Sequence, residues 1–305
     1  MRAAESKGLT RPASSAPLVS VIVPTYNSSA TLGAAIASVL RQELGDLELL
    51  VIGDGCSDDS AEAVAAAADP RVRWIGLAEN SGGPSRPRNV GLSEARGRHV
   101  AYLGHDDLWF PWHLSTLVVA VEDHDVELAS TLGVYLEPRG ASTAFGFPAR
   151  PRTLAPLSPS TWLHRAGLAL RWPEHLRWGH EVFVADRLLA RGVRVHQVAE
   201  LTAIKFPAPS WRSYAADTVV PQTAALTALT ADPRGYQMRL LLDLAGEVAG
   251  ALVLSGRSRY PVLARAVFAT IVGWLRPYRW PLDRLLQRRH RRRSGLAPTP
   301  PRQRM

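Results

Sequence analysis

Residues 99–114 read HVAYLGHDDLWFPWHL: an apolar run that stops at His105, Asp106 and Asp107 before an aromatic stretch. Two adjacent carboxylates at the end of an apolar segment are costly unless a cation, a hydroxyl or hydrogen-bond donors hold them. In an extended segment neighbouring side chains point to opposite faces. Asp106 and Asp107 are therefore not read as a pair sharing a proton. A strand end turning into a loop can aim one at a metal and the other at a hydroxyl or a supporting donor. A hard divalent cation needs few protein carboxylates when phosphate oxygens complete its shell. Arg86 and Arg88, in RPRN (86–89), suit phosphate oxygens. Tyr26, in PTYN (24–27), offers a flat face for a base, and Asp54, in GDGCSDD (53–59), can accept from the base edge. Each residue alone has a plainer explanation: a capped turn, a packed edge aromatic, a surface charge. Their co-occurrence in order describes a site for a nucleoside diphosphate with a metal.

The elements that must position these clusters alternate. LVSVIVPTYN (18–27) and LELLVIGD (47–54) are β-branched, apolar runs of strand length, and VRWIGL and HVAYLG are two more. Between them, SSATLGAAIASVLRQE has apolar residues at helical spacing with Ser28 or Ser29 to cap it. AEAVAAAAD is rich in strong helix formers. SGGPSRPRN (81–89) reads as a loop, VGLSEARG as a helix, and PWHLSTLVVAVEDH as a helix with Pro in its first turn. Alternation of this kind predicts an α/β fold with a mostly parallel sheet flanked by helices. In such sheets ligands bind beyond the carboxyl ends of the strands, where all four clusters fall.

Other site types are excluded. GDGCSD has Gly53 and Gly55 but Asp58 where a third glycine belongs, and it follows the second strand, so it is no dinucleotide fingerprint. The chain has no Walker A loop, no GxSxG elbow and no HExxH. With Cys56 as its one cysteine it forms neither an intrachain disulfide nor a cysteine-rich zinc site. A thiol-poor chain whose first 17 residues hold no apolar signal core is expected in a reducing cytoplasm.

VSVIVPTYNSSATLGAAIASVLRQ, LELLVIGDGCSDDS and ENSGGPSRPRNVGLSEARGRHVAYLGHDD resemble the family 2 glycosyltransferases, inverting enzymes of the GT-A fold. The resemblance is strong from Leu18 to Leu136 and weaker to Lys205. It implies that Pro24, Thr25 and Tyr26 line the nucleotide base and that Asp54 contacts it. It places Arg88 near the diphosphate, Asp106 nearer the sugar or ribose, and Asp107 as the direct ligand of Mg²⁺ or Mn²⁺. Gly53 departs from the family's first Asp in the base-binding turn, Cys56 from its Ser, and His105 from a small or acidic residue, which leaves the base open. The resemblance further implies transfer of a sugar from a nucleotide-diphosphate donor to a hydroxyl, in cell-surface polysaccharide or glycolipid synthesis.

Inversion needs a general base for the acceptor hydroxyl. In the family it is an acid opening a helix, and RWGHEVFVADRLLARG (177–192) resembles that segment, with Glu181 at the base position. His180 is the rival base, since an ordinary imidazole titrates near 6.5. Asp186 is a third candidate, and a first-turn acid serving the helix dipole is the plainer explanation of Glu181. Trp162, Trp172 and Trp178 precede the motif and are candidates for stacking on the acceptor. Two rival functions stay open: a nucleotide-sugar-binding module without turnover, and a nucleotidyltransferase of the same fold, against which PTYNSSAT offers no triphosphate cradle.

Charge divides the chain. Residues 251–305 hold 13 Arg and one acid, Asp283, so that stretch carries +12 of the net +9 and residues 1–250 carry −3. The 15 residues between Pro261 and Pro277, Arg265 among them, make about 22 Å of helix at ~1.5 Å per residue. A membrane span needs roughly 20. Tyr260, Trp274, Tyr278 and Trp280 flank this stretch and a basic run follows it, so a helix lying on an anionic membrane surface is one expectation and a helix packed on the catalytic part is the other. Nucleic acid is not an expected partner, since no recognised module accompanies the Arg run. The expected organisation is a disordered lead over 1–17, a catalytic domain over 18–210 (nucleotide half 18–136, acceptor half 137–210), a helical extension over 211–282 and a basic tail over 283–305. A cytoplasmic protein, peripheral on the inner face of the plasma membrane, is the corresponding expectation.

Overall fold

The structure is a computed structural model and describes residues 16–137, 140–146, 158–176, 179–206 and 216–254. Its strands are β1 (Val19–Thr25), β2 (Leu47–Asp54), β3 (Val72–Leu77), β4 (His99–Tyr102), β5 (Leu108–Trp109), β6 (Leu128–Glu137), β7 (Gly140–Gly146), β8 (Trp162–Arg165) and β9 (Val195–Lys205). Its helices are α1 (Ser29–Leu40), α2 (Ser60–Ala65), α3 (Ser85–Glu94), α4 (His113–Asp123), α5 (His180–Ala190), α6 (Ala216–Ala231) and α7 (Pro233–Leu254). One sheet runs in the order β3-β2-β1-β4-β8-β6-β9-β5, with β7 on β6. The pairs among β1 to β4 are all parallel. Antiparallel pairs enter with β8, β7 and β5, while β6 and β9 run parallel. The sheet is thus parallel among β1 to β4 and mixed from β5 onward, within the expected nucleotide half as well as beyond it.

Strand period explains why β1 and β2 read as apolar runs broken only by Ser20 and Glu48 before their polar ends. Val19, Val21 and Val23 join Leu32, Ile36, Val39, Leu49 and Leu117 in one core. Ile22 joins Leu50, Ile52, Tyr102, Trp162, Trp172 and Val184 in the other. A parallel sheet covered on both faces buries both sets of alternating side chains. At roughly 25 cal/mol per Å² of apolar surface, each such side chain contributes about 1.5–3 kcal/mol.

Two expectations are corrected here. Residues 85–89 are helical, not loop, since α3 begins at Ser85. Pro87 is tolerated because a first-turn N–H has no intrahelical partner to lose. Trp162 and Trp172 are core residues, 0% and 1% exposed and stacked with ring centroids 6.0 Å apart, so neither offers a face to an acceptor. Trp178, the lead over 1–15 and everything from 255 onward lie outside the described residues.

The compact unit containing the sheet runs to Leu244. Helix α6 packs on α1. Helices α6 and α7 are separated at Asp232, and Pro233 opens α7. Gln237 donates to Leu201 O at 2.7 Å, and the Arg234 guanidinium lies 3.4 Å from the Trp112 ring centroid, tying the start of α7 to β9 and to the start of α4. No helix among the described residues is long and apolar enough to cross a membrane.

Candidate active site

The first two clusters are laced together. Asn27, at φ +45, accepts from Ser57 N at 2.8 Å. Asp58 accepts from Ser29 N at 2.9 Å and from Ser60 Oγ at 2.6 Å, and so holds the starts of α1 and α2 at once. Ser28 occupies the expected cap position, but its hydroxyl donates back to Tyr26 O at 2.8 Å. These bonds hold the backbone beneath Tyr26, a residue 43% exposed, between buried Thr25 and Asn27.

Asp54 ends β2 almost fully buried. Its Oδ2 accepts from Ser81 N, Ser81 Oγ and Asn80 Nδ2 at 3.0, 2.9 and 3.3 Å, while Oδ1 has no partner. Burial raises its pKa and the Ser81 donors oppose that. An unpaired buried acceptor costs about 1–3 kcal/mol, so this carboxylate is suited to one more N–H. Gly53 is explained by its surroundings: a Cβ there would lie 2.3 Å from Cη2 of Trp74, so the indole fills the space an Asp side chain would need. Gly55 sits at φ +69, with residues 79 and 80 pressing against it.

Beyond β4 a tight turn, Asp107 N to Gly104 O at 3.0 Å, brings the two carboxylates together rather than apart. Asp106 Oδ1 and Asp107 Oδ2 stand 2.9 and 2.7 Å from the point a Cβ on Gly104 would occupy. The extended-chain expectation fails because the chain turns at residue 104. The two acids differ. Asp107 is fully buried; Ser160 Oγ donates to its Oδ2 at 2.6 Å, and Lys205 Nζ lies 3.2 and 3.3 Å from its two oxygens. Burial pushes the Asp107 carboxyl up to about 6, with Lys205 opposing and Asp106 adding to it. Burial would lower the Lys205 ammonium, but Asp107 and Asp106 outweigh it and keep it charged. Asp106 is 6% exposed and accepts no hydrogen bond among the described residues. His105 donates from Nδ1 to Pro24 O at 3.2 Å, and burial lowers its pKa, so it is a neutral brace between the β1 and β4 ends.

A metal at this site is tested by those donors. Asp107 has both oxygens engaged, and no group of three or more His, Cys, Asp or Glu side chains converges among the described residues. What remains is one carboxylate, Asp106, which fits a hard cation whose shell is completed by a diphosphate.

The first turn of α5 meets the first turn of α3. Arg88 Nη1 lies 3.2 Å from Glu181 Oε1 and its guanidinium 4.3 Å from the Trp172 ring centroid. Arg88 is 8% exposed. Burial would raise the Glu181 pKa, but the Arg88 charge and hydrogen bonds bring it below the usual range, so Glu181 is ionised at neutral pH. His180 Nδ1 is 2.7 Å from Ser85 Oγ. Asn89 clamps Trp172 with two backbone bonds, Nδ2 to Trp172 O at 2.9 Å and Trp172 N to Oδ1 at 2.8 Å. Arg88 was expected at the diphosphate; in this structure its nearest anion is Glu181. A cavity of about 350 Å³ lined by Trp172, His175, Phe183 and Arg187 opens at the same helix.

Lys205, Ser160, Ser85 and Trp74 were not legible as site residues. Lys205 left one trace, a single charge ending the apolar run LTAIK. The others left none, since a serine or tryptophan in sequence does not name its partner.

Residues 20–160 match the family model for glycosyl transferase family 2. The succinoglycan biosynthesis protein ExoO of Rhizobium meliloti is 39% identical over 113 residues, 37% of this chain and 32% of that protein. The UDP-Glc:alpha-D-GlcNAc-diphosphoundecaprenol beta-1,3-glucosyltransferase WfgD of Escherichia coli is 40% identical over 92 residues, 30% of this chain and 36% of that protein. The chain spans about a third of the length of these curated relatives. Among solved structures, the mannosyltransferase PcManGT of Pyrobaculum calidifontis in complex with GDP-Man and Mn²⁺ superposes with TM-score 0.51 at 19% identity, covering 87% of this chain and 83% of that one, a likeness of fold. The laced strand ends, the turn at residue 104 and the matched sequence coincide over the same stretch, and over residues 20–160 the chain is similar to glycosyl transferase family 2.

Proposed function

We propose that the protein transfers a sugar, with inversion, from a nucleotide-diphosphate donor to a hydroxyl acceptor. The observation that carries this reading is the pairing of Glu181 with Arg88 at 3.2 Å and of His180 with Ser85 at 2.7 Å. These pairs bring the candidate bases, from the expected acceptor half, against α3, the helix that carries the RPRN cluster. Tyr26 supplies the exposed face for the base. Asp54 Oδ1 takes an N–H from the base edge. Glu181 accepts the acceptor's proton as its oxygen attacks the anomeric carbon. Arg88 acts on Glu181, holding it ionised and aimed; by lowering its basicity it makes the carboxylate a milder base. His180, tied to Ser85, braces the start of α5. Asp106 is the residue that would hold Mg²⁺ or Mn²⁺, which supplies charge stabilisation to the departing diphosphate when bound.

The relatives' names favour a polysaccharide or a lipid-diphosphate-linked acceptor, and a peripheral cytoplasmic-face location suits such an acceptor. The basic stretch over 251–305 suits an anionic membrane surface. Thermal shift with a panel of nucleoside diphosphates and nucleotide sugars, with and without Mn²⁺, tests the donor half. Ligand that binds only the folded state raises its stability. A shift confined to one base series supports the reading and names the base; no shift with any member of the panel rejects it. Transfer to hydroxyl acceptors, assayed next, separates an enzyme from a binding module, and release of pyrophosphate from a nucleoside triphosphate would favour the nucleotidyltransferase.

A further inference from the structure

We propose that Lys205 is a built-in cation that keeps Asp107 out of a metal's coordination shell, so that the divalent ion binds only together with the donor diphosphate. The inference rests on the donor-site reading above and adds the order in which the site fills.

Asp106 and Asp107 converge beside Gly104, and two converging carboxylates would by themselves attract a divalent ion. Here the pair is not alone. Lys205 Nζ stands 3.2 and 3.3 Å from the two Asp107 oxygens, and Ser160 Oγ takes Oδ2 at 2.6 Å. A hard cation needs carboxylate oxygens at about 2.0–2.6 Å. At Asp107 it would have to displace the ammonium or lie beside it, and either is opposed by like charge in a buried place. With one ammonium against two carboxylates the cluster carries a formal −1 instead of −2. Asp106 alone is then the protein's carboxylate for the ion, and one carboxylate is too few to hold it without phosphate oxygens. Lys205 ends β9, which pairs with β6 and β5, so its position is fixed by the sheet rather than by a loose loop. Its side chain is 28% exposed. Lys205 acts through Asp107 and is in this sense a positioning residue.

The test is Mn²⁺ binding, read by loss of the free-ion electron paramagnetic resonance signal, with the full chain and with or without UDP or GDP. The wild type is expected to retain Mn²⁺ only when the nucleotide it binds is present. Lys205→Met is expected to retain Mn²⁺ alone at least about tenfold more tightly than the wild type, because one opposing charge is gone. Lys205→Met combined with Asp107→Asn is expected to return to the wild-type level. Should Lys205→Met not fold, as judged by circular dichroism, Lys205→Gln is read in its place, since it keeps a donor for Asp107 without the charge. The proposal is overturned if neither variant binds Mn²⁺ more tightly than the wild type, or if the wild type holds Mn²⁺ as tightly without nucleotide as with it. Nucleotide retention in EDTA, followed separately by equilibrium dialysis, distinguishes the two failures. A wild type that retains no nucleotide under any condition rejects the donor site, whereas the Lys205→Met arm without nucleotide reads the lysine alone.

Discussion

The two sides of the site are held by different kinds of force. On the side of β1 and β2, Asn27, Asp58 and Asp54 hold the strand ends through hydrogen bonds to neighbouring turns. On the side of α5 and β9, charges far apart in the chain are paired: Arg88 with Glu181, Asp107 with Lys205. The first side is a rigid frame that presents a few exposed atoms. The second is a set of buried or half-buried ion pairs whose worth depends on both partners staying in place. Removing one partner of a buried pair costs more than the pair contributed, because a desolvated charge is left behind. The comparison therefore predicts that single substitutions hurt the ion-paired side more, and that the laced side yields mainly to steric or hydrogen-bond changes.

The largest expected effect is on chemistry. Glu181→Gln should lower kcat by about 10²–10⁴-fold with little change in donor binding, as loss of a general base does. Steady-state transfer rates beside nucleotide thermal shifts measure both, and a variant that turns over normally would assign the proton to His180 or to solvent. Next comes Asp107→Asn. It strands the Lys205 charge and should cost up to about 3 kcal/mol in urea unfolding, toward the low end because the lysine is 28% exposed. A loss under ~0.5 kcal/mol would mean that the pair is not buried in solution.

On the laced side, Gly53→Asp restores the acid common in the family's turn but meets the Trp74 ring, and about 1–3 kcal/mol of overpacking should follow. Adding Trp74→Ala should recover most of it; a double variant no more stable than Gly53→Asp alone would show that the indole is not the obstacle. The smallest effect concerns Glu48, buried at the far end of the same sheet. It accepts from Ser20 Oγ at 2.7 Å and from Arg96 N, Nε and Nη2 at 2.8, 3.0 and 2.6 Å. Burial pushes its pKa up, but these donors together bring it below 4.5. A depressed folded value means that the charge stabilises above pH 4.5 and stops doing so as pH falls through the folded value. Glu48→Gln should thus be less stable by about 1–2 kcal/mol at neutral pH. In Tm against pH, the gap to the wild type should close below 4.5, and a gap independent of pH would refute the ionic account.

Much of this could be read in the chain. The β-branched runs, the helix spacing between them and four polar clusters at the strand ends specify a parallel sheet with a site at one edge, because those signals depend on neighbours within a dozen residues. Tyr26, Asp54 and Asp106 were legible as candidates for the same reason, and Glu181 through the resemblance of its segment to the family's helix-opening acid. Reading failed where the chain turns or where partners are distant. The helix start at Ser85 was missed because prolines at 84 and 87 resemble a loop. Trp162 and Trp172 looked available to an acceptor, since sequence does not show that Tyr102 and each other's rings cover them.

The sequence by itself determined which side chains bear charge and that the strand ends would gather them. Tertiary structure decided which charges neutralise which. Asp106 and Asp107 are alike in sequence, yet one is closed by a lysine 98 residues away and the other is left open. Coulomb energy depends on separation in space and on burial, and neither is written in the order of the residues.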